Sequence, residues 1–302
     1  MTSRLRRFLV KGVFWRKLLR FAVMNAPLWI EPFVMAFWSL FFLLWGPGRR
    51  GVMWNVKAMK PGSWSITNFL RTYRVFWNFA WSIADTARFR ETRTMPDWEF
   101  AGLEHFEELR AHKGGAVILT AHMGSYDLGA HVFSDTSHRR IIMVRAPEVD
   151  PETRRFEEEQ TERSRGEGLR IDFNTKASEL ALELLHALQA GELVAIQGDR
   201  VTPGIAAIET KLFEHRAHVP SGPFALAMAA RVPVFPLFIV RAGRRRYRLV
   251  TCAPIHVERR SRHRDDDLRA AVEQWSKQLE EVIRCGWHQW FAFEPYLVET
   301  AA

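Results

Sequence analysis

From residue 115 onward, short apolar runs alternate with helical patterns, and this alternation restricts the fold more than any other feature of the chain. Residues 115–120 (GAVILT), 141–144, 169–173, 193–197 (LVAIQ), 232–240 and 247–252 read as strands. Between them, Ser125 to Phe133, Pro151 to Arg165, Ala177 to Gln189, Pro220 to Ala230 and Asp265 to Arg284 read as helices. Pro151 suits a first helical turn, and Gly191 follows the third of these helices as a stop. In the last helix Leu268, Val272, Trp275, Leu279 and Val282 share one face. Strands that alternate with helices predict an α/β domain with a mostly parallel central sheet flanked by helices. In such sheets, chemistry gathers beyond the carboxyl ends of the strands.

Three strand ends carry candidate residues. The first runs into TAHMGSYDLGAH, with His122 just past the strand and Asp127 five residues later. Side chains on one helix face would stand three or four apart, so the two meet only if His122 lies in the turn before the helix. Gly124 permits a tight turn there, and Ser125 can cap the helix. A carboxylate so placed would fix the imidazole tautomer, leaving the other ring nitrogen to take a proton from a hydroxyl or amine. Arg145 ends the strand IIMVR, and Gly198, Asp199 and Arg200 follow LVAIQ. Convergence at one rim carries more than any single residue. Other histidines, His218 and His288 among them, lack this placement and read as structural or surface residues. Cys252 and Cys285 have no metal-ligand spacing and read as small buried apolar residues in a reducing compartment.

The N-terminal part has another character. Residues 4–20 resemble a basic amphipathic helix of a membrane surface. Residues 22–46 are apolar except for Glu31, but the uninterrupted stretch from Phe33 to Trp45 is short for the ~20 residues of a spanning helix. A re-entrant or interfacial helix is as plausible as a span, and cations on both sides give no clear crossing and fit a segment dipping in from the cytoplasmic face. The 12 tryptophans and 22 phenylalanines, many of them in the first 100 residues, point to a lipid interface. We divide the chain at residue 60: residues 1–60 form membrane-associated helices and residues 61–302 the α/β domain. A net charge of +9 favours an anionic membrane surface. No nucleic-acid-binding motif is present, and neither a G-x-S-x-G elbow nor a glycine-rich nucleotide fingerprint occurs.

The order His-x4-Asp, strand-end Arg, Gly-Asp-Arg, VPSGPFALA and VPVFPLF resembles the glycerolipid and lysophospholipid acyltransferase superfamily. Within it the chain is most similar to bacterial lipid A biosynthesis (lauroyl and myristoyl) acyltransferases, over roughly residues 10 to 297; GWHQWFAFEPYL also fits. The resemblance implies an acyltransferase of the bacterial inner membrane, at its cytoplasmic face. It would move a fatty acyl group from acyl carrier protein or coenzyme A, as co-substrate, to a membrane lipid or glycolipid. His122 would be the general base and Asp127 its orienting carboxylate. Arg145, Gly198, Asp199 and Arg200 would hold acceptor or donor phosphate. Backbone N–H groups near Gly124 and Ser125 are candidate oxyanion donors. No metal or cofactor is implied. Acyl carrier protein is acidic, and the run at Arg241 and Arg244 to Arg246 could dock it, although a solvated hairpin turn reads better. The alternative is a non-catalytic, membrane-associated lipid-binding protein of the same fold, which would not need the His122–Asp127 pair.

Overall fold

The structure is a computed structural model, describing residues 13–46, 48–129, 139–145, 151–164, 168–173, 177–202 and 204–298. Four helices come first: α1 (Val13–Asn25), α2 (Glu31–Trp45), α3 (Arg49–Met59) and the long α4 (Ser65–Thr92). The basic residues before 13 lie outside the described residues.

A seven-stranded sheet forms the centre, in the order β1-β9-β8-β2-β5-β3-β4. Its strands are β1 (Asp97–Ala101), β2 (Ala116–Thr120), β3 (Ile141–Arg145), β4 (Leu169–Phe173), β5 (Leu193–Gln197), β8 (Val234–Gly243) and β9 (Arg246–Thr251). From β8 through β4 all neighbours are parallel; β9 turns back antiparallel on β8, and β1 pairs parallel with β9. A separate antiparallel hairpin joins β6 (Ala207–Leu212) to β7 (His215–Pro220). The remaining described helices are α5 (Leu103–Ala111), α6 (Pro151–Ser164), α7 (Ala177–Gln189), α8 (Gly222–Ala230) and α9 (Arg264–Gly286). A further helix begins at Tyr126, and its continuation lies outside the described residues.

Period-two alternation splits the sheet's side chains into two cores. Val117, Leu119, Ile142, Val194 and Phe238 pack with Leu184 and Leu188 of α7, Phe224 of α8 and the predicted stripe of α9. On the other face Ile118, Ile141, Met143, Leu237 and Ile239 meet Leu128, Leu109 and Phe89. Every residue of β2 is buried, as expected of a central parallel strand covered on both sides.

The N-terminal helices pack against the end of the chain. Leu43, Val52, Val56, Val75 and Phe76 enclose Phe291. Asn55 donates to the carbonyls of Ala292 and Glu294 at 3.0 and 2.8 Å and accepts from the Tyr296 N–H at 2.9 Å. Helix α2 has two distinct stripes. Glu31, Met35, Ser39 and Leu43 are buried, whereas Phe33, Phe37, Leu40 and Leu44 are exposed. Its 15 residues span about 22 Å, and among the described residues no helix is long and apolar enough to cross a membrane.

Some boundaries differ from expectation. Pro220 closes β7, so α8 starts only at Gly222. The β6–β7 hairpin, β1 and α5 carry no clear periodic signal and are visible only in the structure. Cys285 is exposed rather than buried, because it lies off the apolar stripe of α9. Cys252 is half-buried, and burial pushes its thiol up to about 11.

Candidate active site

The carboxyl ends of β2 and β5 lie in register, Thr120 opposite Gln197, and the Gly198 N–H donates to the Thr120 carbonyl at 2.8 Å. Two residues beyond each strand end stand His122 and Asp199. They touch: His122 Nδ1 is 2.8 Å from Asp199 Oδ1, and the His122 backbone N–H donates to both carboxylate oxygens at 2.9 and 3.0 Å. The Trp290 indole N–H adds a third donor, 2.9 Å from Oδ2. Burial would push the Asp199 carboxyl up, but His122, by charge and by hydrogen bonds, and Trp290 together hold it below the usual carboxylate range. An ionised Asp199 facing Nδ1 selects the tautomer with its proton there. In the neutral ring Nε2 is then the nitrogen without a proton, and it makes no hydrogen bond among the described residues, an arrangement that suits a general base.

Asp127 stands elsewhere. Its carboxylate is hydrogen-bonded by Arg145 from the end of β3 and lies 3.5 Å from Arg90 of α4. No hydrogen bond joins it to His122 among the described residues. The expected His122–Asp127 contact is thus replaced by His122–Asp199. The reason is topological: parallel pairing of β2 with β5 carries Asp199 to the His122 turn, whereas Asp127 is already within a helix that turns it towards β3. Arg145 holds a protein carboxylate here rather than presenting a bare cation.

The remaining sequence candidates have separate places. Gly198 leaves no room for a side chain: a Cβ there would come within 2.7 Å of Leu119 and 3.3 Å of Trp275. Arg200 is exposed and reaches the Phe291 carbonyl at 3.3 Å. With Asp199, His218, Glu294 and Tyr296, among apolar neighbours such as Phe293 and Val298, it lines a recess of mixed character. Gly124 adopts the left-handed conformation (φ 54°), and a Cβ there would meet the Ile239 carbonyl oxygen at 1.8 Å. Its N–H donates to the Gln289 carbonyl at 3.0 Å and is therefore not free for an oxyanion. Ser125 is buried at the head of the helix, its hydroxyl 2.8 Å from that of Thr86.

The arginine run also proves more engaged than a solvated turn. Arg244 and Arg245 form the β8–β9 turn, and both bind Glu31 of α2, which Arg88 also holds. Arg246 and Arg248 bind Glu99. Arg241 stacks over Trp81 and lies 3.8 Å from Asp85.

The segment Gln289–Phe291 had no assigned role in the sequence, yet it closes the site from behind. The Phe291 N–H donates to the His122 carbonyl at 2.8 Å, and Gln289 clasps the backbone of Arg241 through both its amide atoms. The signal available in the sequence was its place in GWHQWFAFEPYL, the run that fits the family resemblance.

One sheet face opens beside this turn into a small, largely apolar cavity; all the empty space in and around it, open solvent included, comes to about 530 Å³. Ile118, Ala195, Ile141, Met143, Leu237 and Ile239 form its floor, and Tyr126 and Gly129 its cover. Thr120, Gln197 and Arg145 stand at the strand-end side.

A family model described as bacterial lipid A biosynthesis acyltransferase matches residues 70–297, which include all of these site residues. Comparison with curated proteins gives no match. The match covers most of the chain, and the chain belongs to the bacterial lipid A biosynthesis acyltransferase family: it is an acyltransferase acting on lipid.

Proposed function

We propose that the enzyme transfers a fatty acyl group from a thioester, on acyl carrier protein or coenzyme A, to a hydroxyl or amine of a membrane lipid or glycolipid, with His122 as general base and Asp199 as its orienting carboxylate. The observation that carries this reading is the 2.8 Å His122–Asp199 contact beside an apolar cavity. The acyl chain lies in that cavity. His122 Nε2 removes the acceptor's proton as the acceptor oxygen or nitrogen attacks the thioester carbonyl. Collapse of the tetrahedral adduct expels the thiolate, which takes up the proton from the imidazolium. The donor is a co-substrate, and the scheme calls for no metal or cofactor.

Arg145 and Arg90, paired with Asp127, form a cationic group near the mouth that suits phosphate of donor or acceptor. The exposed stripe of α2 supports attachment to a membrane, with the helix lying in the interface at the cytoplasmic face of the inner membrane.

The test offers acyl carrier protein and coenzyme A thioesters side by side to membranes containing wild type or His122→Ala. Donor consumption and a newly acylated lipid, both lost in the variant, are expected. Wild-type turnover retained by a folded His122→Ala enzyme would refute the assignment of the base.

A further inference from the structure

Two buried polar atoms in the lining of the apolar cavity lack a well-formed hydrogen bond. They are the Thr120 hydroxyl oxygen and the Gln197 side-chain nitrogen, both shielded from solvent. Among the described residues, these are the cavity-lining side chains with such unsatisfied atoms. The Gln197 N–H leans towards the Tyr126 hydroxyl in a weak, poorly formed hydrogen bond, which leaves it available to a better acceptor. Burying a donor without a partner is costly in a fold, and a pair of them at one strand-end position calls for a ligand.

Their placement says which part of a ligand they meet. Thr120 and Gln197 are direct partners on adjacent parallel strands, about 4.8 Å apart in the pairing direction. Each precedes by two residues a member of the His122–Asp199 pair. They therefore stand where an apolar chain in the cavity gives way to its reacting head. The Gly124 N–H, otherwise the nearest candidate donor, is already committed to Gln289.

Resting on the reading of His122 as base towards an acyl thioester, we infer that the Thr120 hydroxyl and the Gln197 amide donate to the thioester carbonyl oxygen and stabilise the oxyanion formed on attack. Donors fixed in a dry site before the reaction lower the barrier without reorganising during it. Their poorly paired state in the free enzyme is a cost to folding that function retains.

Thr120→Val and Gln197→Met remove the donors while roughly keeping volume. Each is expected to lower kcat about 10²–10³-fold with Tm unchanged or raised, and Thr120→Ser to restore turnover. A second measurement needs no turnover: in the His122→Ala background, binding of dodecanoyl-pantetheine, a thioester, is compared with that of the dodecyl-pantetheine thioether, which lacks the carbonyl. The unsubstituted pocket should prefer the thioester, and either substitution should erase the preference. Equal binding of both ligands by the unsubstituted pocket, or kcat within twofold of wild type in both variants, overturns this assignment alone. A kcat loss accompanied by a fall in Tm assigns the residues to the fold and likewise overturns it. Binding of neither ligand, with no thioester turned over by wild type, overturns the donor reading and this inference together.

Discussion

Asp199 Oδ1 lies 2.8 Å from His122 Nδ1, although 77 positions separate the two residues, whereas Asp127, five positions from His122, is held by Arg145 and Arg90. Asp199→Asn should therefore reduce kcat about 10³–10⁴-fold, as loss of the tautomer lock does in comparable sites. Asp127→Asn should act mainly through the freed arginines, with about a tenfold effect carried by KM. Steady-state kinetics of the two variants decide the matter, and the reverse ranking would restore Asp127 as the orienting group.

Glu31 fastens α2 to the body through Arg88, Arg244 and Arg245, and only a tenth of its side chain is exposed. Glu31→Gln leaves these arginines crowded without their counter-charge. A loss of about 2–4 kcal/mol in unfolding free energy is expected from breaking a buried ion cluster, measurable by denaturant unfolding. Stability equal to wild type would mean that the cluster contributes nothing net.

Much of this was legible in advance, and the part that was not has a physical cause. The strands β2, β4 and β5 and the helices α7 and α9 stand within a residue or two of their expected limits, because each pairs a strong period with a clear stop. The hairpin β6–β7 contains Glu209, Lys211, Arg216 and His218 among its apolar residues and shows no run of either kind. Residues at strand ends could be named, since the α/β fold places its chemistry there. Their pairing could not: which carboxylate meets His122 depends on strand order, and local spacing does not encode that β5 lies beside β2. The same limit hid Trp290 and Gln289, which reach the site only through tertiary packing.

His288 gives a pH-dependent test. Burial, with Arg74 and Arg241 nearby, lowers its pKa from 6.5 to about 4. The unfolded chain then takes up a proton near the ordinary value while the folded protein does not. The contribution of His288 to stability is therefore fully present above about pH 6.5 and is lost progressively as pH falls towards 4. A shift of this size corresponds to about 3 kcal/mol; partial exposure reduces this to roughly 1–2 kcal/mol. Melting curves of His288→Gln should show a flatter acid limb than wild type. Parallel curves would remove His288 from the account.

Phe33 and Phe37 are 70% and 68% exposed on the outer stripe of α2. The double variant Phe33→Ser/Phe37→Ser should keep its unfolding free energy within roughly 0.5 kcal/mol yet bind anionic phospholipid vesicles more than tenfold less tightly, given ~1.5–3 kcal/mol for each buried phenylalanine. Met35→Ser, on the inner stripe, should do the opposite, lowering stability while sparing vesicle binding. Cosedimentation at fixed lipid separates the two; vesicle binding that survives loss of both phenylalanines would assign attachment to another surface.

The backing of the His122 turn by Gln289, Trp290 and Phe291 has a temporal consequence. During synthesis His122 is made early, Asp199 follows, and the indole and amide groups that fix them come nearly a hundred positions later still. A ribosome-bound chain long enough to contain β2, β5 and β8 holds the cavity's lining yet lacks the residues that brace the His122 carbonyl and the Asp199 carboxylate. The site is then complete only once the last aromatic stretch emerges and docks behind the His122 turn.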